Sequence, residues 1–186
     1  MIRLGGSNGH GDADTHAIRL NEDEREKSRY DGVPSHVDRL QWLVEEAASV
    51  AAVPKAAINL LNGTSQRTLA SVGIDITVLA RDNALCSVIA DDKRAVHVAD
   101  MSQDPRWTRH PFVDGRWGRT RFLGAYPLIC SGGVVFGFMC VMDLRPRVLE
   151  PAQCAALNAL VPRVIGALEI ERSRITKDEA PAGDGL

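Results

Sequence analysis

The sequence predicts an α+β fold, an antiparallel sheet with helices from the two chain ends gathered on one face. Three observations carry this. Strand-like runs at 57–61 and 68–72 flank Asn62-Gly63, and runs at 121–128 and 134–143 flank Ser131-Gly132-Gly133, so both pairs read as hairpins. The two longest helical periodicities lie before the first hairpin and after the second. Strands and helices do not alternate, as a parallel sheet would require.

Residues 1–20 are rich in Gly, Asp, Asn and His and read as a disordered tail. Asn21-Glu22-Asp23-Glu24 has the form of an N-cap with an acidic first turn, which predicts a short helix to Arg29. Asp31-Gly32-Val33-Pro34 ends it. Ser35-His36-Val37-Asp38 opens a second helix, whose stripe is Leu40, Leu43, Ala47 and Val50 and whose limit is Pro54. Leu85, Cys86 and Ile89 fit a short helix within 81–90, and 95–99 reads as a strand. A long irregular loop follows, holding Asp104-Pro105-Arg106-Trp107. The last helix starts near Pro151, with proline suited to a first turn. Its stripe is Leu157, Val161, Val164 and Leu168, and Pro162 predicts a kink. The domain is thus expected over 21–172, with 173–186 a second disordered tail.

The 186 residues suit one domain, which can bury roughly 65–70% of its unfolded surface without disulfides or metals. A net charge of −2 gives no general attraction to nucleic acid or anionic membrane. Apolar runs are far short of the ~20 residues that span a bilayer, and the polar N-terminus has no signal-peptide core. A cytoplasmic protein is expected. The four cysteines, Cys86, Cys130, Cys140 and Cys154, form no CxxC pair and read as buried reduced thiols. Cys130 and Cys140 follow strand periodicity, as core packing does.

Arg106, Arg109, Arg116, Arg119 and Arg121 interleave with Trp107, His110, Phe112 and Trp117. Guanidinium groups pair with phosphate or carboxylate, so this loop is either a lid over an anionic ligand or a solvated loop pairing with Asp100, Asp104, Asp114 and Asp143. His10, Asp12, Asp14 and His16 could grip a metal but read as a polar tail. His97 reads as a sheet residue, and Asp100 and Asp104 as caps or arginine partners. No phosphate-binding glycine loop and no nucleophile elbow is present.

Several of these pieces resemble the GAF family of small-molecule sensor domains, in the bacterial subgroup often found before histidine kinases or diguanylate cyclases. The resemblance covers roughly residues 21–172. It rests on the acidic helix Asn21 to Tyr30, on the helix around Asp38-Arg39-Leu40, on Leu85-Cys86, on Asp100 and Asp104-Pro105-Arg106-Trp107, and on Arg121-Phe122 leading to Pro127-Leu128. Gly137, Cys140-Val141-Met142-Asp143 and Pro146-Arg147 complete it. It implies a six-stranded antiparallel sheet with the terminal helices on one face and a ligand pocket under loops on the other. The expected pocket residues are Leu85, Cys86, Ile89, Trp107, Phe112, Arg121, Phe122 and Asp143, with Arg121 pairing an anion and Trp107 and Phe112 forming an apolar lid.

Members that reduce free methionine sulfoxide place a cysteine on the helix matching Leu85-Cys86, but their attacking cysteine lies in a stretch that here, from 87 to 129, has none. Bilin-binding members carry a Cys-His pair, absent here, and the signature of cyclic-GMP-binding members is also absent. The expectation is a non-catalytic, cofactor-free sensor module, a homodimer through its terminal helices, acting on a separate signalling output protein. The alternatives are a ligand-free dimerisation or docking domain, and a redox enzyme built on Cys86.

Overall fold

The computed structural model describes residues 10–75 and 77–178, with side chains over 19–75 and 77–177. Among these, six strands form one antiparallel sheet: β1 (Lys55–Leu61), β2 (Ser65–Val72), β3 (Val78–Ala80), β4 (Val96–Val98), β5 (Phe122–Ile129) and β6 (Val135–Asp143). Their spatial order is β3-β2-β1-β6-β5-β4. The expected hairpins are β1–β2 and β5–β6, and β1 pairs β6 at the centre. The α+β layout read from the sequence is therefore the one observed.

Four α-helices are described: α1 (His10–Ser28), α2 (Asp38–Ala51), α3 (Pro111–Asp114) and α4 (Pro151–Asp178). α2 and α4 pack together and on the sheet, and α1 meets β6. α2 buries Leu40, Leu43, Val44, Ala47, Ala48 and Ala51. The 3.6-residue period carries this stripe to Ala51 rather than to the expected Val50, which is half-buried. Ala52 then turns left-handed (φ 52), donating to Ser49 O while Val53 donates to Ala48 O, and Pro54 prevents further helix.

α1 begins at His10, not Asn21, so helix enters the stretch expected to be disordered. The polar composition there masks Ala13, Ala17 and Leu20, all compatible with helix. A Lys27–Glu24 pair at 2.8 Å supports its last turns. Just beyond, Tyr30 stacks on Phe136 at 4.0 Å and donates its hydroxyl to Glu169 of α4. Residues 1–9, and the side chains of His10, Asp12, Asp14 and His16, lie outside the described set. α4 likewise runs past Arg172, where Ser173 Oγ donates to Glu169 O and Arg174 pairs with Glu171. It also continues through Pro162 without a break. The missing N–H leaves the carbonyl of Asn158 without its helical donor on an exposed turn, where water can supply one. Residues 179–186 lie outside the described set.

The helix expected over 81–90 resolves into a 3₁₀ turn, Arg81–Asn83, and a 3₁₀ helix, Leu85–Ile89, because Ala84 between them is extended (ψ 134). β3 and α3 were not legible: the first has three residues and the second four, too few for a period to show.

The sheet is buried on both faces. Ala56, Ile58 and Leu60 of β1 join the helix-side core, while Ala57 and Leu61 join a second core on the other face. In β6 a bulge resets this alternation. Leu128 pairs with Gly137 and Ile129 with Val135, leaving Phe136 as the extra residue. Phe136 thereby turns to the helix side and meets Tyr30, whereas Phe138, Cys140 and Met142 face the other way. Gly137 makes the bulge possible, since a Cβ there would overlap the carbonyl oxygen of Asn59. Gly137→Ala should therefore cost about 1–3 kcal/mol of stability, read from urea denaturation midpoints. An unchanged midpoint would show that the bulge is not under this constraint.

Candidate functional site

On the face away from α2 and α4, the sheet carries a cavity of about 380 Å³. Its floor comes from inward positions of β1, β2, β5 and β6: Lys55, Asn59, Gln66, Thr68, Leu123, Cys140 and Met142. The 73–79 segment forms one wall with Ile74, Asp75, Thr77 and Leu79. The 3₁₀ helix gives Leu85 and Cys86, α3 gives Phe112, and the loop after α3 gives Trp117, Arg119 and Thr120. Phe112 and Trp117 meet edge-to-face at 5.5 Å.

The floor is a polar patch in an apolar strand setting. Thr68 Oγ1 donates to Asn59 Oδ1 at 2.8 Å, and Asn59 Nδ2 lies 4.0 Å from Cys140 Sγ. Cys140 Sγ is 3.3 Å from Cys86 Sγ. Hydrogen bonding to Cys86 and burial push the Cys140 thiol well above its usual range. Gln66 is 7% exposed, and its Oε1 has no hydrogen-bond partner among the described residues. A buried acceptor without a donor is costly.

Leu85, Cys86 and Phe112 line the cavity as the sequence predicts. The other expected residues lie elsewhere. Ile89 and Trp107 are buried in the core beneath the cavity wall, where Trp107 Nε1 donates to Leu85 O and so fixes the 3₁₀ helix. Trp107 is thus a support rather than a lid. Phe122 faces the helices, because alternation along β5 gives the cavity to its neighbour Leu123. Arg121 donates to the carbonyls of Val113 and Thr120, both at 3.0 Å, and braces the loop from beneath instead of reaching into the cavity. Asp143 is buried, pairs with Arg147 and accepts from the Arg145 N–H, closing the turn after β6.

Most loop arginines have local partners. Arg106 pairs with Asp104 (2.8 Å) and lies 4.3 Å from the Trp107 ring centroid, and Arg116 pairs with Asp114 (2.7 Å). Arg119 is the member of the expected cluster that lines the cavity. Asp100 caps Ser102, whose hydroxyl and N–H lower its pKa. His97 Nε2 is 2.9 Å from Tyr126 Oη, and burial lowers the imidazole pKa. Among the described residues no cluster of three or more His, Cys, Asp or Glu is arranged to hold a metal. No described helix is long and apolar enough to cross a membrane.

The family model described as GAF domain matches residues 36–168. This chain belongs to the GAF domain family. It is 32% identical over 174 residues to cyclic di-GMP phosphodiesterase PA2567 of Pseudomonas aeruginosa, an alignment covering 87% of this chain and 28% of that protein. The chain thus spans about a quarter of that curated relative. Among solved structures it is similar to the GAF domain of an Acinetobacter phosphoenolpyruvate-protein phosphotransferase. That match has TM-score 0.62 and 16% identity, covering 85% of this chain and 98% of the other. It is also similar to the blue-light-absorbing form of the Thermosynechococcus elongatus PixJ GAF domain, with TM-score 0.61 and 11% identity, covering 88% and 97%. At these identities the solved structures bear on the fold alone.

The GAF fold places Asp143 where a structural role can be tested. Burial alone would raise its pKa, but hydrogen bonds from Arg147 and the Arg145 N–H outweigh it and hold the carboxyl below 3.8. A depressed folded pKa gives stability that is present at neutral pH and lost as pH falls from about 3.8 through the folded value. Asp143→Asn should lower stability at pH 7 by about 1–3 kcal/mol and flatten the fall below pH 4. Equal losses for wild type and variant across pH 2–7 would remove the role of this ion pair.

Proposed function

We propose that this GAF chain is a non-catalytic sensor module of signal transduction that takes up a small molecule between the sheet and the 112–120 loop. The observation that carries this reading is a cavity large enough for a metabolite whose floor includes Gln66, with its buried Oε1 unpartnered among the described residues. The ligand presents an N–H or O–H to Gln66, lies against Phe112, Trp117 and Leu123, and can extend an acidic group toward Arg119 and Lys55. The likeness to a cyclic di-GMP phosphodiesterase, over 28% of that protein's length, supports a place in second-messenger signalling.

Occupancy reaches the output through the sheet. β1 and β6 form the cavity floor with alternate residues and the helix-side core with the others, so a shift in one face moves the packing of α2 and α4. We further propose a homodimer through these helices. Trp42 on α2 is 78% exposed beside a groove shared with Arg163 of α4, a large apolar group suited to an interface anchor.

Native mass spectrometry of freshly purified protein should show a retained small-molecule mass that Gln66→Leu loses while keeping its fold. A clean apo mass for the wild type, with no ligand gained from a metabolite extract, would instead leave a docking domain. Trp42→Ala should weaken dimerisation by about 30-fold or more, as truncation of an aromatic anchor does. A concentration-independent monomer mass for the wild type in light scattering would remove the dimer.

A further inference from the structure

Cys86 and Cys140 are 54 positions apart in the chain, yet their sulfurs lie 3.3 Å apart in the cavity wall. Neither reading of the cysteines as separate packing groups anticipates this contact. Cys140 sits on central strand β6, paired to Ala57 on one side and Ala125 on the other, and so cannot move freely. Cys86 sits on the short 3₁₀ helix Leu85–Ile89, which Trp107 anchors at its first residue through Leu85 O. The two other cysteines are remote from this pair in their partners: Cys154 Sγ lies 3.9 Å from His97 Nδ1, and Cys130 packs at the helix-side core.

We propose that Cys86 and Cys140 are a redox-active dithiol that a hydroperoxide, entering through the cavity, closes to a disulfide. The sulfurs need to approach from 3.3 Å to ~2 Å, a shift that rotation of the Cys86 side chain and a small tilt of the 3₁₀ helix about its Leu85 anchor supply while β6 stays fixed. In the first step the Cys86 sulfur attacks one peroxide oxygen as its proton is released. The O–O bond breaks, the leaving hydroxide takes up the thiol proton as water, and Cys86 becomes a sulfenic acid. In the second step the Cys140 sulfur attacks Cys86 sulfur, the S–O bond breaks, and the departing hydroxide takes the Cys140 proton as a second water. Two thiols and one hydrogen peroxide give one disulfide and two waters, with two electrons passing from sulfur to oxygen. Hydrogen bonding and burial favour the protonated Cys140 thiol, so the first attack falls to Cys86. The product staples the cavity wall to the sheet, so oxidation and uptake of a small molecule compete for the same space. The dithiol does not depend on the sensor reading, since a cavity that takes no metabolite can still admit peroxide.

The test treats the fully reduced full chain with hydrogen peroxide and maps thiols and mass. The expected result is loss of about 2 Da, a fall from four free thiols to two after denaturation, and one crosslinked peptide joining Cys86 to Cys140. A dithiol reductant should restore all four. The Cys130→Ser/Cys154→Ser double variant should behave identically, falling from two thiols to none, and keeps the test valid if a substitution in the cavity impairs folding. Cys140→Ser should accumulate sulfenic acid at Cys86, trapped by dimedone, without a crosslink. Four thiols surviving peroxide that readily oxidises free cysteine, or a disulfide that engages Cys130 or Cys154, would overturn the proposal.

Discussion

The pairing of β1 with β6 is the constraint on which the rest of this molecule depends. These two strands lie at the centre of the sheet and are buried on both faces, so each residue serves one of two cores. Their contact is tight enough at Gly137 that no side chain fits against the Asn59 carbonyl. The bulge next to it sends Phe136 to Tyr30 and the helices, and puts Cys140 and Met142 in the cavity. A one-residue slip would exchange the two sets, filling the cavity and stripping the helix-side core. Site and scaffold are therefore specified by the same register.

The same geometry explains why polar groups survive in the middle of the sheet. Asn59, Gln66 and Thr68 are each less than a tenth exposed, which is costly unless hydrogen bonds replace water. Asn59 and Thr68 satisfy one another, and the Asn59 amide also approaches Cys140. Gln66 Oε1 is left over. An apolar residue at that position would avoid this cost. Around it, the loop is braced by internal bonds: Arg121 to two carbonyls, Trp107 to the 3₁₀ helix, and Arg116 to Asp114. These fix the walls and leave Arg119 at the cavity.

Local rules made the architecture readable. Asn62-Gly63 and Ser131-Gly132-Gly133 mark the hairpins, and Leu40, Leu43 and Ala47 mark α2, because turns and periodicity are properties of neighbouring residues. What depends on distant partners was not readable. The bulge at Phe136 answers to Asn59, and the Cys86–Cys140 contact joins elements far apart in sequence. The site was legible in part. Leu85, Cys86 and Phe112 line the cavity, but the phase of β5, which local sequence does not reveal, turns Phe122 to the helix side, and Arg121 and Asp143 serve the backbone around them. Gln66 and Asn59 had a signal that could have found them, polar side chains at core-facing positions of otherwise apolar strands. The helical extensions of α1 and α4 were missed because composition alone is a poor guide to helix in polar segments.

The claim that the face away from the helices is a receiving site is tested most directly by NMR. The side-chain amides of Asn59 and Gln66 and the indole of Trp42 would be followed while the small-molecule fraction of a cell extract is dialysed against the protein. The account predicts shifts at Gln66 and Asn59, at β2 and across 112–120, with a clear downfield move of the amide nearest the new donor. Shifts confined to Trp42 and the groove between α2 and α4, with the cavity resonances unmoved, would contradict it.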